Sequence, residues 1–167
     1  MTTVGVDDAP PRSVLFVCTG NIFRSLTAEY ALRRELSGSP IVLHSAGTED
    51  YPHVVARIVR DYLLEKGLDV GAHSRRTLTA EMLAQPAQLV VAMSVEHRRA
   101  LAHAFGFHAP LYSEVCGVGH EPLPDVEEAV ADYRDNPAAV AAHVRATIDR
   151  IVALAPRLAA RLARAER

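Results

Sequence analysis

A cysteine and an arginine lie six positions apart near the N-terminus and could together transfer a phosphoryl group. The segment reads CTGNIFRS and runs from Cys18 to Ser25. A cysteine thiolate is a strong nucleophile. The planar guanidinium of Arg24 can bind two phosphate oxygens at once, which a lysine ammonium cannot do. Ser25 can donate a hydrogen bond to the cysteine sulfur. We therefore predict phosphoryl transfer, with Cys18 and Arg24 as catalytic residues.

The residues around this pair would have to fold into a loop that encloses an anion. Backbone N–H groups of a turn between a strand and a helix bind anions, and the helix N-terminus adds a partial positive charge. The same surroundings favour the thiolate form of a cysteine. Gly20 and Asn21 are residue types that tolerate the tight turn. The predicted phosphate-binding residues are Thr19, Gly20, Asn21, Ile22, Phe23, Arg24 and Ser25.

The apolar pattern around this loop predicts an α/β fold. Short runs rich in β-branched and aromatic residues are typical of buried strands. They lie at residues 13–17, 41–43, 89–92 and, more weakly, 109–112. Helical periodicity lies between or beside them, at residues 24–36, 54–66, 79–84 and 95–104. We expect one domain with a four-stranded parallel sheet, helices on both faces, and the phosphate-binding loop after the first strand.

The ends of the chain differ from this core in composition. Residues 1–12 lack a hydrophobic segment and are expected to form a flexible N-terminal tail. An Ala-rich stretch follows Glu127, and Asn136-Pro137 should open a long helix in it. Pro156 should end or kink that helix. The predicted domain therefore spans residues 13–155, and residues 156–167 form a basic C-terminal helical extension.

Composition narrows the possible partners. The 167-residue chain has a net charge of -2, which provides no basic field for a nucleic-acid backbone. No apolar stretch has the length of a membrane span. The two cysteines, Cys18 and Cys116, are too few for a disulfide framework, so we expect a cytoplasmic protein. The eight histidines show no spacing typical of metal ligands, so we expect neither a metal nor a cofactor.

Several motifs give the sequence a family resemblance. The loop region reads VCTGNIFRSLTAE, and HSAGT, GLDV, AHSRRTLT, LVVAM and PD follow in that order. This chain resembles the low-molecular-weight protein tyrosine phosphatases, whose hallmark is VCxGNxxRSxxAE. The resemblance covers residues 13 to about 150 and implies that the Cys18 thiolate forms a phosphocysteine intermediate. It also implies that Ser25, Ser45 and His73, with Asn21, form a hydrogen-bond network that shapes the loop.

The general acid is harder to identify from the residues alone. The Pro-punctuated segment EPLPDVEE has four carboxylates, at Glu121, Asp125, Glu127 and Glu128, and any of them could be the proton donor. The resemblance selects Asp125, which would protonate the leaving oxygen and then activate water.

The edge of the predicted site departs from the family pattern. The usual Asp-Pro is Asp125-Val126 here, and the aromatic pair that normally follows is replaced by Glu127 and Glu128. Phe23 and Tyr51 are the remaining candidates for a hydrophobic substrate wall. Phosphotyrosine in proteins is the expected substrate, and a small-molecule phosphate monoester is the alternative.

Two other functions are less well supported by the sequence. A thioredoxin-coupled arsenate reductase passes oxidation through further cysteines, and residues 89–98 contain none. A non-catalytic phosphate-binding module would have no need of Cys18, Arg24 and a nearby acid. We expect the chain to act as a monomer or weak dimer on a phosphorylated protein or small phosphate monoester.

Overall fold

A three-stranded parallel sheet forms the centre of the computed structural model, which describes residues 10–50 and 54–165. The strands are β1 (Ser13–Cys18), β2 (Val42–Gly47) and β3 (Gln88–Ala92), in the order β2-β1-β3. The central strand β1 is paired on both sides, with Cys18 opposite Gly47 and Val17 opposite Ala92. The sheet therefore places Cys18 at the carboxyl end of its middle strand, where open α/β sheets bind ligands.

Helices cover both faces of this sheet. They are α1 (Arg24–Glu35), α2 (Arg57–Glu65), α3 (Ala80–Leu83), α4 (Val95–Phe105), α5 (Tyr112–Val115), α6 (Val126–Ala129) and α7 (Pro137–Ala165). On one face, Phe16 packs in a cluster with Leu32 of α1 and Ile151 of α7. On the other face, Val17 packs in a cluster with Leu101 of α4. The α/β class and the parallel sheet with helices on both faces are confirmed.

The predicted fourth strand does not form in the described residues. Residues 109–112 make a single parallel bridge, between Leu111 and Ala92, and α5 begins at Tyr112. The Glu114 side chain accepts a hydrogen bond from the Leu111 N–H at 2.8 Å and so caps this helix. Strand pairing stops after this bridge because the helix that begins at Tyr112 takes the chain out of the extended conformation. The predicted number of strands was therefore wrong.

The long helix α7 does not end at Pro156. A proline inside a helix removes one hydrogen bond and costs about 3 kcal/mol. Buried side chains on either side of it, at Ala155, Leu158 and Leu162, hold the helix against the core. Burying two leucines contributes a comparable or larger free energy, which explains why the helix continues. None of the helices in the described ranges is long and apolar enough to cross a membrane.

Candidate active site

The segment between β1 and α1 folds into a tight loop beside β2. Asn21, which is fully buried, has a φ of 55° and provides the left-handed turn. Gly47 lies so close that a Cβ there would be 2.5 Å from the Thr19 carbonyl oxygen. The Thr48 N–H also donates to the Cys18 carbonyl at 2.8 Å. The residues at the end of β2 therefore hold the loop in place from one side.

The backbone N–H groups of this loop are available to a ligand. Among residues 10–50 and 54–165, none accepts a hydrogen bond from the backbone N–H groups of residues 20–25. These groups lie at the N-terminus of α1, whose dipole adds a partial positive charge. Such an arrangement binds phosphate, because several N–H groups can donate to one anion.

The Cys18 sulfur lies 2.9 Å from the Ser25 hydroxyl. The Asn21 side-chain amide donates to Ser25 Oγ at 2.9 Å and to Ser45 Oγ at 2.8 Å. Because Ser25 Oγ already accepts from Asn21, its own proton is free for the sulfur. Ser45 in turn donates to the buried carboxylate of Glu29. This chain of hydrogen bonds therefore directs the Ser25 hydroxyl proton towards the Cys18 sulfur.

Asn21 is also held from the side opposite Ser25. The imidazole Nε2 of His73 lies 2.8 Å from the Asn21 carbonyl oxygen, so it carries the donated proton. The Arg76 backbone N–H donates to Asn21 Oδ1 at 2.9 Å. The structure thus brings Ser25, Ser45 and His73 into contact with Asn21.

Arg24 is buried beneath the loop and joins it to the acidic segment. Its Nη1 donates to the Leu123 carbonyl at 2.8 Å, and its Nη2 donates to Asp125 Oδ2 at 2.9 Å. Asp125 is the N-cap of α6, and its Oδ1 accepts from the Val126 N–H at 2.7 Å. The Asp125 side chain is 37% exposed, against 2% for Arg24. The carboxyl group therefore lies where the buried loop meets solvent.

The other three acids of the segment have different surroundings. Glu121 forms an ion pair with Arg150 at 2.8 Å, and Glu127 is exposed. Glu128 is also exposed, and partial desolvation together with the neighbouring Glu96 carboxyl raises the pKa of Glu128 above its usual value. Among the four, Asp125 alone forms a described ion pair with Arg24. That contact selects Asp125 as the candidate acid and leaves Glu128 as the alternative.

Two loop contacts were missed by the sequence analysis. The imidazole of His97 lies 2.9 Å from the Thr19 hydroxyl. The Arg75 guanidinium donates to the Gly20 carbonyl at 3.0 Å and to the Glu49 carbonyl at 2.7 Å. Both residues are far from the loop in sequence. No local sequence pattern indicates either contact.

Of the two predicted substrate walls, Phe23 and Tyr51, the structure describes only Phe23. Phe23 is only 8% exposed and packs in an apolar cluster with Val59, Val70 and Val126. Phe23 therefore serves mainly as a core residue in this structure. Tyr51 lies outside the described residues. Among the described residues, no three His, Cys, Asp or Glu side chains are grouped so that they could hold a metal ion.

Known proteins match this chain in both sequence and structure. The model of the family described as low molecular weight phosphotyrosine protein phosphatase matches residues 13–166. The low molecular weight protein-tyrosine-phosphatase Etp of Escherichia coli K12 is 40% identical over 87 residues, which are 52% of this chain and 57% of Etp. The protein-arginine-phosphatase of Bacillus subtilis is 34% identical over 101 residues, 56% of this chain and 63% of that protein. The chain thus spans less than two thirds of these relatives.

The fold of one solved relative agrees with these matches. The solution structure of a low molecular weight protein tyrosine phosphatase from Bacillus subtilis superimposes with a TM-score of 0.71 at 25% identity, covering 93% of this chain and 99% of that one. The match to the family model extends from the first strand to the end of the last helix. This chain belongs to the low molecular weight phosphotyrosine protein phosphatase family.

Proposed function

We propose that this chain is a cysteine-dependent phosphatase that hydrolyses phosphotyrosine in proteins. The main observation is the placement of Cys18 beside the Ser25 hydroxyl, with Arg24 linking the same loop to Asp125. A nucleophile, an anion-binding loop and a proton donor are the groups that hydrolysis of a phosphate monoester through a covalent intermediate requires. Membership of the family supports the same reaction.

In the first step, the Cys18 thiolate attacks phosphorus in line with the leaving oxygen. A P–S bond forms while the P–O bond to the leaving group breaks, which gives a phosphocysteine. The N–H groups of residues 20–25 and the Arg24 guanidinium stabilise the charge on the three equatorial oxygens. The Ser25 hydroxyl stabilises the sulfur anion before attack and again when it departs in the second step.

Asp125 serves both steps as the proton carrier. Its protonated carboxyl group donates to the leaving oxygen, which would otherwise depart as a costly anion. The resulting carboxylate then accepts a proton from the water that attacks the phosphocysteine. The P–S bond breaks, and inorganic phosphate is released. The Asp125 side chain pairs with Arg24 and is partly exposed to solvent, which suits a group that must reach both a leaving group and water.

The names of two relatives support the proposed substrate. Etp is named a protein-tyrosine-phosphatase. The similarity to a protein-arginine-phosphatase supports a second candidate, phosphoarginine in proteins. A small phosphate monoester is a third candidate, because the acids at Glu127 and Glu128 replace the usual aromatic wall. These carboxylates would repel metabolites with several negative charges, so we favour a protein substrate.

We further propose a cytoplasmic setting and action as a monomer or weak dimer. Cys18 and Cys116 are both free and buried, as expected of a protein from a reducing compartment. An oxidising compartment would expose the Cys18 thiolate to inactivation.

Turnover of a substrate panel tests the proposed function. The panel contains a phosphotyrosyl peptide, the matching phosphoarginyl peptide and several small phosphate monoesters, with Cys18→Ser as the control. We expect the highest kcat/KM for the phosphotyrosyl peptide. A higher value for the phosphoarginyl peptide or a small monoester would contradict the substrate. Absence of turnover above Cys18→Ser for every compound would contradict the enzyme activity itself.

A further inference from the structure

A buried histidine, His97, contacts the phosphate-binding loop at Thr19. His97 is in the first turn of α4 and is 1% exposed. Its side chain has polar contacts at both ring nitrogens, with Ser94 at Nδ1 and Thr19 at Nε2. No step of the mechanism proposed above uses this residue.

The contact with Ser94 fixes the tautomer of the imidazole. The Ser94 backbone N–H donates to Nδ1 at 3.1 Å, so Nδ1 has a lone pair and no proton. The proton of the neutral ring is therefore on Nε2, which lies 2.9 Å from Thr19 Oγ1. His97 is thus the donor of this hydrogen bond, and the Thr19 oxygen is its acceptor.

The ring is also held in its neutral form. Burial, and then the positive charge of Arg24, lower the pKa of His97 from its usual 6.5 to about 3. A neutral imidazole supplies a hydrogen-bond donor without placing a second positive charge behind the guanidinium.

The Thr19 hydroxyl proton must then find an acceptor elsewhere. Arg24 Nη2 also faces Thr19 Oγ1, at 3.5 Å, and it too can only donate. The same Nη2 donates to Asp125 at 2.9 Å. The Thr19 hydroxyl therefore follows Cys18 in sequence and lies beside Arg24 Nη2, the nitrogen that donates to Asp125. An anionic oxygen at this place would be a suitable acceptor.

We propose that His97 is a positioning residue of the active site, which orients the Thr19 hydroxyl so that it donates its proton to a phosphoryl oxygen beside Arg24. The proposal rests on the function proposed above for the site. His97 itself does not touch the substrate, and its effect depends on the hydroxyl of Thr19.

Four variants test this relation by kinetics. His97→Leu removes the donor, and Thr19→Val removes the hydroxyl while keeping its shape. We expect each to lower kcat/KM on an aryl phosphate by about tenfold to a hundredfold, the usual range for a hydrogen bond to a charged group. His97→Gln and Thr19→Ser, which keep an N–H and an O–H donor, should retain most of the activity. His103→Leu, on the exposed part of α4, is the matched control and should behave as wild type.

The double variant shows whether the two residues act as one unit. If His97 acts through Thr19, His97→Leu combined with Thr19→Val should be no slower than Thr19→Val alone. Losses that multiply, or a His97→Leu variant as active as His103→Leu, would overturn the proposal.

Two further measurements do not depend on turnover. Nitrogen-15 NMR of the His97 ring should show the Nε2–H tautomer at pH 5, and calorimetry should show weaker binding of inorganic phosphate to Thr19→Val and His97→Leu than to wild type. An Nδ1–H tautomer, or unchanged phosphate binding, would contradict the proposal. The wild-type chain could lack activity while its phosphate binding still depends on Thr19 and His97. That result would refute the proposed function and support the role of His97.

Discussion

The floor of the candidate site, residues 18–25, and its acidic rim, residues 121–130, are held in different ways. In the floor, Asn21, Arg24 and Ser25 are at most 2% exposed. The Asn21 amide donates to Ser25 at 2.9 Å, and the Arg24 guanidinium donates to the Leu123 carbonyl at 2.8 Å. In the rim, Glu121 pairs with a partly exposed Arg150, and Asp125 is more than one third exposed. Removing one partner of a buried hydrogen bond is costly, whereas exposed ion pairs contribute little.

This difference separates the reaction from the choice of substrate. The floor contains the proposed nucleophile and the proposed phosphate-binding loop, and its sequence matches the family hallmark closely. The rim departs from that pattern at Val126, Glu127 and Glu128. We infer that substitutions in the floor abolish catalysis, whereas substitutions in the rim redistribute it among substrates.

The largest effect should come from the nucleophile, and the second cysteine provides its control. Cys18→Ser should lower turnover by roughly ten-thousandfold or more. Cys116→Ala should have little effect, because burial raises the pKa of the Cys116 thiol to about 11 and keeps it unreactive. Steady-state assays on an aryl phosphate measure both. Comparable losses in the two variants would contradict the assignment.

Arg24→Lys should give the next largest effect, a loss of at least a hundredfold in kcat/KM. A lysine cannot reach both the Leu123 carbonyl and the Asp125 carboxylate, nor bind two phosphate oxygens in one plane. Arg34→Lys, on the exposed part of α1, is the control for the same substitution. A loss below about tenfold in kcat/KM for Arg24→Lys would exclude a bidentate role.

At the rim, Asp125→Asn should lower turnover roughly a hundredfold on phosphate esters with poor leaving groups, and by less on an activated aryl phosphate. A good leaving group needs little protonation, so the difference isolates the acid step. Glu128→Gln and Glu127→Gln should lack this dependence on the leaving group. The opposite result, with the dependence in Glu128→Gln and none in Asp125→Asn, would make Glu128 the acid.

The smallest effect concerns stability and the histidine behind the floor. The pKa of His97 is about 3 in the folded chain and near 6.5 when unfolded. As the pH falls, His97 therefore binds a proton in the unfolded state before it does so in the folded state. The free energy of unfolding should decrease as the pH drops from 6.5 towards 3. This residue contributes a decrease of up to about 1.4 kcal/mol per pH unit. Urea unfolding at pH 7 and pH 5 should show a weaker pH dependence for His97→Gln than for wild type or His103→Gln. Identical pH dependence in all three would count against a buried neutral His97.

The floor could be predicted because its chemistry is local in sequence. Cys18 ends a strand, and Arg24 and Ser25 begin the next helix, so their spacing together with the flanking apolar strand and amphipathic helix indicated an anion site. Ser45 and His73 come from distant segments, and only the family resemblance connected them with Asn21. The contact between Thr19 and His97 joins residues 78 positions apart and has no pattern in the sequence that indicates it.

Elsewhere, tertiary contacts overrode local patterns. The run at residues 109–112 has strand character, but the Glu114 cap starts a helix there after a single bridge. Pro156 indicates the end of a helix, but the packing of Ala155 and Leu158 keeps α7 continuous. In both places a contact made only in the folded chain outweighs a local preference.

Covalent capture of the intermediate on Cys18 is the decisive measurement for the mechanism. The wild-type chain is mixed with an aryl phosphate, quenched in acid during turnover and digested, and the peptides are examined by mass spectrometry. We expect one phosphate on the sulfur of Cys18, and none in Cys18→Ser under the same conditions. Continued turnover with no phosphate on Cys18, or with phosphate on another residue, would contradict the phosphocysteine mechanism.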